Sequence, residues 1–101
     1  MGLDQHLQEK IYSKNGDIVR RDIADEIILV PIRGNMADMR KIFALDAVAD
    51  YIWMQLDGKM SCGDIHTALL TIFDVESDQA AEDLNDFIND LLKTDLIREV
   101  A

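Results

Sequence analysis

The chain changes its hydrophobic period once, at Asp46, and that switch restricts the fold more than any single motif does. Before it, apolar residues come in short runs rich in β-branched side chains, Ile18 to Ile23 and Ile27-Ile28-Leu29-Val30. Such runs suit strands, and Ala24-Asp25-Glu26 between them suits a hairpin connection. Pro31 cannot donate to a ladder and marks the second run's end. Arg33-Gly34-Asn35 turns the chain, and Met39 to Leu45 reads as a third strand.

After the switch the apolar residues recur at helical spacing. Asp46 is a helix cap, followed by Val48, Ile52 and Leu56 on one face with Ala49 and Trp53 beside them, and Asp57-Gly58 closes the helix. Ser61 caps a second helix, with Asp64 three residues on and an apolar stripe of Ile65, Ala68, Leu69, Ile72 and Phe73. After the break at Asp74-Val75-Glu76, Ser77 caps a third, whose stripe is Ala80, Leu84, Phe87, Ile88, Leu91 and Leu92. Leu96 to Val100 is a short final strand or a packed tail. No helix separates adjacent strands, which argues against a parallel βαβ sheet. The expected architecture is α+β and winged helix-turn-helix-like: a three-stranded antiparallel sheet followed by three helices, in one domain over 17–101. Residues 1–16 show no sustained period and are expected to form a flexible arm, with a short extended piece at Ile11-Tyr12.

Charge narrows the choice of partners. Residues 1–45 balance seven acids with seven bases, whereas residues 46–101 carry thirteen acids and three bases. The whole excess of −10 therefore sits in the helical half. That field repels nucleic acid and anionic lipid and attracts cations. No apolar run approaches the roughly 20 residues of a spanning helix, and the polar start Met1-Gly2-Leu3-Asp4-Gln5-His6 resembles no signal peptide, so a cytoplasmic location is expected. Cys62 is the one cysteine, which rules out an internal disulfide and a thiolate-bound metal or iron–sulfur centre within one chain.

Residues that usually do chemistry are scarce. No metalloprotease helix or phosphate-binding loop occurs. His66 falls on the expected polar side of its helix. Cys62, at a helix start, has no visible base beside it and reads as a small structural residue. The expectation is a protein with no catalytic constellation, no cofactor and no metal. Two surfaces stand out instead. The last helix holds six acids against Lys93, and Asp83, Asp86 and Asp90 share a face at i, i+3, i+7. Such a face either keeps the helix solvated or docks a basic segment. The third strand would lie at a sheet edge, where an extended peptide adds itself by main-chain pairing.

A string of short signals then carries a resemblance. Leu45-Asp46, Ile52-Trp53 with Leu56-Asp57-Gly58, Ser61 to Ile65, Phe73-Asp74-Val75, Asp83-Leu84 with Phe87-Ile88 and Leu91-Leu92, and finally Leu96-Ile97 occur in order. From Ile18 to Val100 the chain resembles the PqqD family. It departs from the family at Asp46, where Asn is usual, and at Asp95, where Gly is usual. The resemblance implies a winged-helix fold that recognises peptides, and a non-catalytic adaptor for ribosomally made precursors. It implies that a precursor's leader adds to the third strand, at Arg40, Lys41, Ile42, Phe43, Ala44 and Leu45, and faces Asp83, Asp86, Phe87 and Asp90 of the last helix. It further implies a partner radical-SAM enzyme carrying its own cluster, in pyrroloquinoline quinone biosynthesis or a related pathway. A monomer, or a dimer made by exchanging an element, fits so small a fold.

Two rival readings remain. A winged helix also suits a DNA-binding transcriptional regulator, which would need Lys or Arg for phosphates on its reading helix. A carrier protein would need a serine at a helix start in an Asp-Ser-Leu-like context, which Ser61-Cys62-Gly63 does not supply.

Overall fold

The computed structural model describes residues 5–16, 18–31 and 43–100. In chain order the elements are α1 (Gln5–Glu9), β1 (Ile11–Lys14), β2 (Ile18–Ile23), β3 (Glu26–Pro31), β4 (Phe43–Leu45), α2 (Ala47–Gln55), β5 (Asp57–Ser61), α3 (Cys62–Ile72), α4 (Ser77–Lys93) and β6 (Ile97–Glu99). The expected three strands and three helices are β2, β3, β4 and α2, α3, α4. The strands form one antiparallel sheet in the order β2-β3-β4. Of the expected third strand, residues 39–42 lie outside the described residues.

A second antiparallel sheet, in the order β5-β1-β6, takes the place of the expected arm. Its central strand β1 pairs with β6 (Tyr12 opposite Glu99) and with β5 (Ile11 opposite Ser61). Only Tyr12 of β1 is buried, so four residues give no period to read. The partners that hold β1 straight are distant in the chain. β5, Asp57-Gly58-Lys59-Met60-Ser61, has the composition of a turn and is a strand because β1 supplies its ladder. Its second residue, Gly58, lies at φ +82°, a conformation in which other residues are strained.

The β2–β3 hairpin closes through Ala24 and Asp25 alone, since Ile23 pairs with Glu26. Both turn residues have positive φ, 50° and 69°, as a two-residue turn that matches strand twist requires. Alternation then sends Ile18, Arg20, Leu29, Phe43 and Leu45 to one face. All of these except Arg20 are buried. Arg20 instead reaches over the helices. Its Nε and Nη2 bind the two carboxylate oxygens of Asp50 on α2, at 2.5 and 3.0 Å, and so fasten the hairpin to that helix.

The caps follow the local chemistry in two of the three longer helices. Asp46 accepts from the Ala49 amide at 2.8 Å and Ser61 from the Asp64 amide at 3.2 Å. At α4 the cap position is Glu76, with no side-chain bond, and Ser77 is already helical. The Ser77 carbonyl is 3.0 Å from His66 Nε2. His66 is therefore a buried clip between α3 and the start of α4, not a polar-face residue. Tyr51 of α2 meets Phe73 edge to face at 5.8 Å. The core includes Ile52, Trp53, Leu56, Ile65, Leu69, Leu84, Ile88 and Leu91. Two residues of the expected apolar stripes are exposed instead: Ile72 at 56% and Leu92 at 38%. Ala81 takes the buried place on α4.

The end of α4 explains one departure from the family. The Leu96 amide donates to the Leu91 carbonyl and the Asp95 amide to the Leu92 carbonyl, with Asp95 at φ 63°. This is the double-bonded helix stop that normally uses glycine. Asp tolerates the left-handed region better than most residues but still at a cost. Asp95→Gly is expected to stabilise the fold by about 0.5–1 kcal/mol and to raise Tm by roughly 2–8 °C in a thermal melt.

Candidate functional site

Residues that the sequence places far apart line one groove of about 300 Å³. α4 contributes Asp83, Asp86, Phe87 and Asp90. The first half of α2 contributes Val48, Ala49 and Ile52, with the cap Asp46 at its head. The helices present these residues for ordinary reasons. Leu84, Ile88 and Leu91 turn inward, which leaves Asp83 and Asp86 exposed and Phe87 and Asp90 on the flank. On α2, buried Ile52 forms the depth of the groove, and Ala49 lies half-buried and Val48 half-buried above it. The result is an apolar floor rimmed by four carboxylates, with no basic residue among its described lining. One rim acid has a local partner: Gln79 Nε2 donates to Asp83 at 2.9 Å. Asp46 is occupied in part as the α2 cap.

β4 leads directly into this groove through Asp46. Among the described residues β4 has a strand neighbour on one side only, β3. The N-terminal and C-terminal strands do not cover its other side, because β1 and β6 pair with each other in the second sheet. Phe43 and Leu45 point into the core, and Ala44 faces out.

The expected site residues therefore divide. Asp83, Asp86, Phe87 and Asp90 lie together on the groove. Phe43, Ala44 and Leu45 form the outer strand beside it, with two of their three side chains committed to the core. Arg40, Lys41 and Ile42 lie outside the described residues. The α2 wall is an addition that the sequence does not signal. The helical stripe places Val48 and Ala49 with the core, and only their half-buried state marks them as a floor. Among the described residues no three His, Cys, Asp or Glu side chains converge as metal ligands. A second concavity of about 290 Å³, lined by Lys14, Asn15, Gly16, Asp95, Ile97 and Arg98, sits at the end of the other sheet and is mostly polar.

Cys62 is inert by its surroundings. It is buried, and burial pushes its thiol from 9.0 up to about 11. The Ser61 hydroxyl serves as a helix cap rather than a free attachment point. The outward face of α4, with Asp83 and Asp86 on it, would repel the phosphates that a DNA-reading helix must contact.

No curated protein sequence matches the chain. A solved structure of TbiB1, in complex with the TbiA(beta) leader peptide, is similar to it with a TM-score of 0.66 and 26% identity, over 85% of this chain and 94% of that one. Lasso peptide synthetase B1, solved with its leader peptide, shares the fold at a TM-score of 0.68 and 17% identity, over 86% of this chain and 96% of that one. The family described as Coenzyme PQQ synthesis protein D (PqqD) matches residues 26–97. That stretch runs from β3 to β6 and includes every residue of the groove, and the chain belongs to the PqqD family.

Proposed function

We propose that this protein is a non-catalytic adaptor that captures the leader of a ribosomally made precursor peptide and presents it to a modifying enzyme. The observation that carries this reading is the outer strand β4 running into the α2–α4 groove. An extended guest that pairs with β4 gains main-chain hydrogen bonds that tolerate many sequences. Its side chains on the groove side then meet Val48, Ile52 and Phe87, which supply choice. TbiB1, similar over most of both chains, is a leader-peptide complex. The modifying enzyme in this reading is a radical-SAM protein, which brings its own cluster and cofactor, so the adaptor needs neither.

The test is a titration of the isotope-labelled chain with the synthetic leader encoded beside it. Amide signals of Ala44, Leu45, Val48, Ala49, Asp86 and Phe87 are expected to shift, while those of β1 and β6 stay in place. A spectrum unchanged at saturating leader would end the adaptor reading. Co-purification of the radical-SAM partner from the same gene neighbourhood, in the presence of leader, tests the second half separately.

A further inference from the structure

We infer that the groove selects a leader segment with the pattern basic-x-apolar-x-basic, a Lys or Arg standing two residues to either side of one seated apolar side chain. The inference rests on the leader-binding reading above and adds the chemistry and spacing of the guest. The apolar floor formed by Val48, Ala49, Ile52 and Phe87 has room for a large aliphatic or aromatic side chain. Along α4, Asp83 stands one turn before Phe87 and Asp90 just under one turn after it. At 1.5 Å per residue, those separations are about 6 Å and about 4.5 Å.

A guest laid along α4 in extended form rises about 3.4 Å per residue and sends alternate side chains to one side, so its groove-facing residues recur every ~6.8 Å. With an apolar residue seated over Phe87, the next groove-facing residue on one side comes level with Asp83. On the other side it passes Asp90 by about 2 Å. The long stem of Lys or Arg absorbs that difference and packs on the apolar floor as it does so. Charge points the same way. Four carboxylates rim the groove and no described lining residue is basic. Asp83, Asp86 and Asp90 repel one another on one helix face, and a guest cation relieves that repulsion.

Three fluorescein-labelled synthetic peptides with common flanks test the pattern by anisotropy. Their cores are Lys-Thr-Leu-Thr-Lys, Gln-Thr-Leu-Thr-Gln and the rearranged Thr-Lys-Leu-Lys-Thr. The first is expected to bind roughly tenfold more tightly than the other two at about 50 mM salt, and the gap should narrow to about threefold at roughly 300 mM. In the double variant Asp83→Asn, Asp90→Asn, which changes an exposed and a half-buried rim position without touching the floor, the three peptides should bind alike. Equal binding of the Lys and Gln peptides to the unaltered chain, or no measurable binding of any of them, overturns the charge requirement. Equal binding of the first and rearranged peptides overturns the spacing. Either result leaves the adaptor reading standing if the encoded leader still shifts the groove amides; if that leader also fails, the adaptor reading falls as well.

Discussion

Replacing Trp53 by alanine is expected to remove about 3–5 kcal/mol of stability. Trp53 is 2% exposed at the end of α2. Its ring also carries the Lys14 ammonium, 5.8 Å from the ring centroid, so it links α2 to the second sheet. Lys14 Nζ is anchored only loosely otherwise, at 3.4 Å from the Met54 carbonyl. The substitution therefore opens a cavity and loosens β1 together. A domain of this length has roughly 5–15 kcal/mol in total, so a large share of its margin would go. Urea unfolding followed by circular dichroism should show a much lower midpoint. The substitution Trp53→Phe, which keeps most of the volume, should recover the greater part. A stability within about 1 kcal/mol of the parent for Trp53→Ala would mean that the two layers hold together without this contact.

The second large effect is a loss of stability in alkali. Burial holds the Cys62 thiol protonated to about pH 11, whereas in the unfolded chain it ionises near 9.0. Tyr12 is raised for the same leading reason, loss of water around the charged form. The sign follows from proton counts. Between these pH values the unfolded chain has released protons that the folded chain still holds, so stability falls as pH rises. Well below pH 9 both states hold the thiol proton and the effect vanishes. The loss from Cys62 should approach about 2 kcal/mol by pH 11. Cys62→Ala should flatten most of that limb while leaving stability near neutral pH within about 1–2 kcal/mol of the parent. An unchanged limb in the variant would assign the alkaline loss to Tyr12 or to other groups.

In the proposed reading, the groove is where a small acidic chain would select its guest. Net charge alone would attract any cation. Selection needs the charges to stand at fixed distances from an apolar seat; the spacing along α4 sets their distances from Phe87, and the crossing of α2 and α4 supplies the seat. The two helices reach that crossing for stability's sake, by burying Ile52 and Leu84, and the half-buried flank left between them is the floor.

What the residues determined by themselves was local or periodic. The caps at Asp46 and Ser61 work through bonds of three residues' reach, so they are legible in the sequence. The inward stripe of α4 and the carboxylates on its outer side follow from 3.6 residues per turn. The strand runs before Asp46 and the helices after it, hence the α+β class, follow from the change of period. What only the tertiary structure decided was everything that pairs across distance. β5 carries no strand signal, and β1 and β6 show only the short extended piece at Ile11-Tyr12 and the final strand or tail at Leu96 to Val100, because each is held by the others' backbones rather than by its own side chains. His66 has a buried role because α4 begins beside it. Val48 and Ala49 form one wall of the groove because two helices cross there. An amino-acid pattern records which face of an element is apolar; it does not record which other element will meet that face, since that depends on the packing of the whole chain.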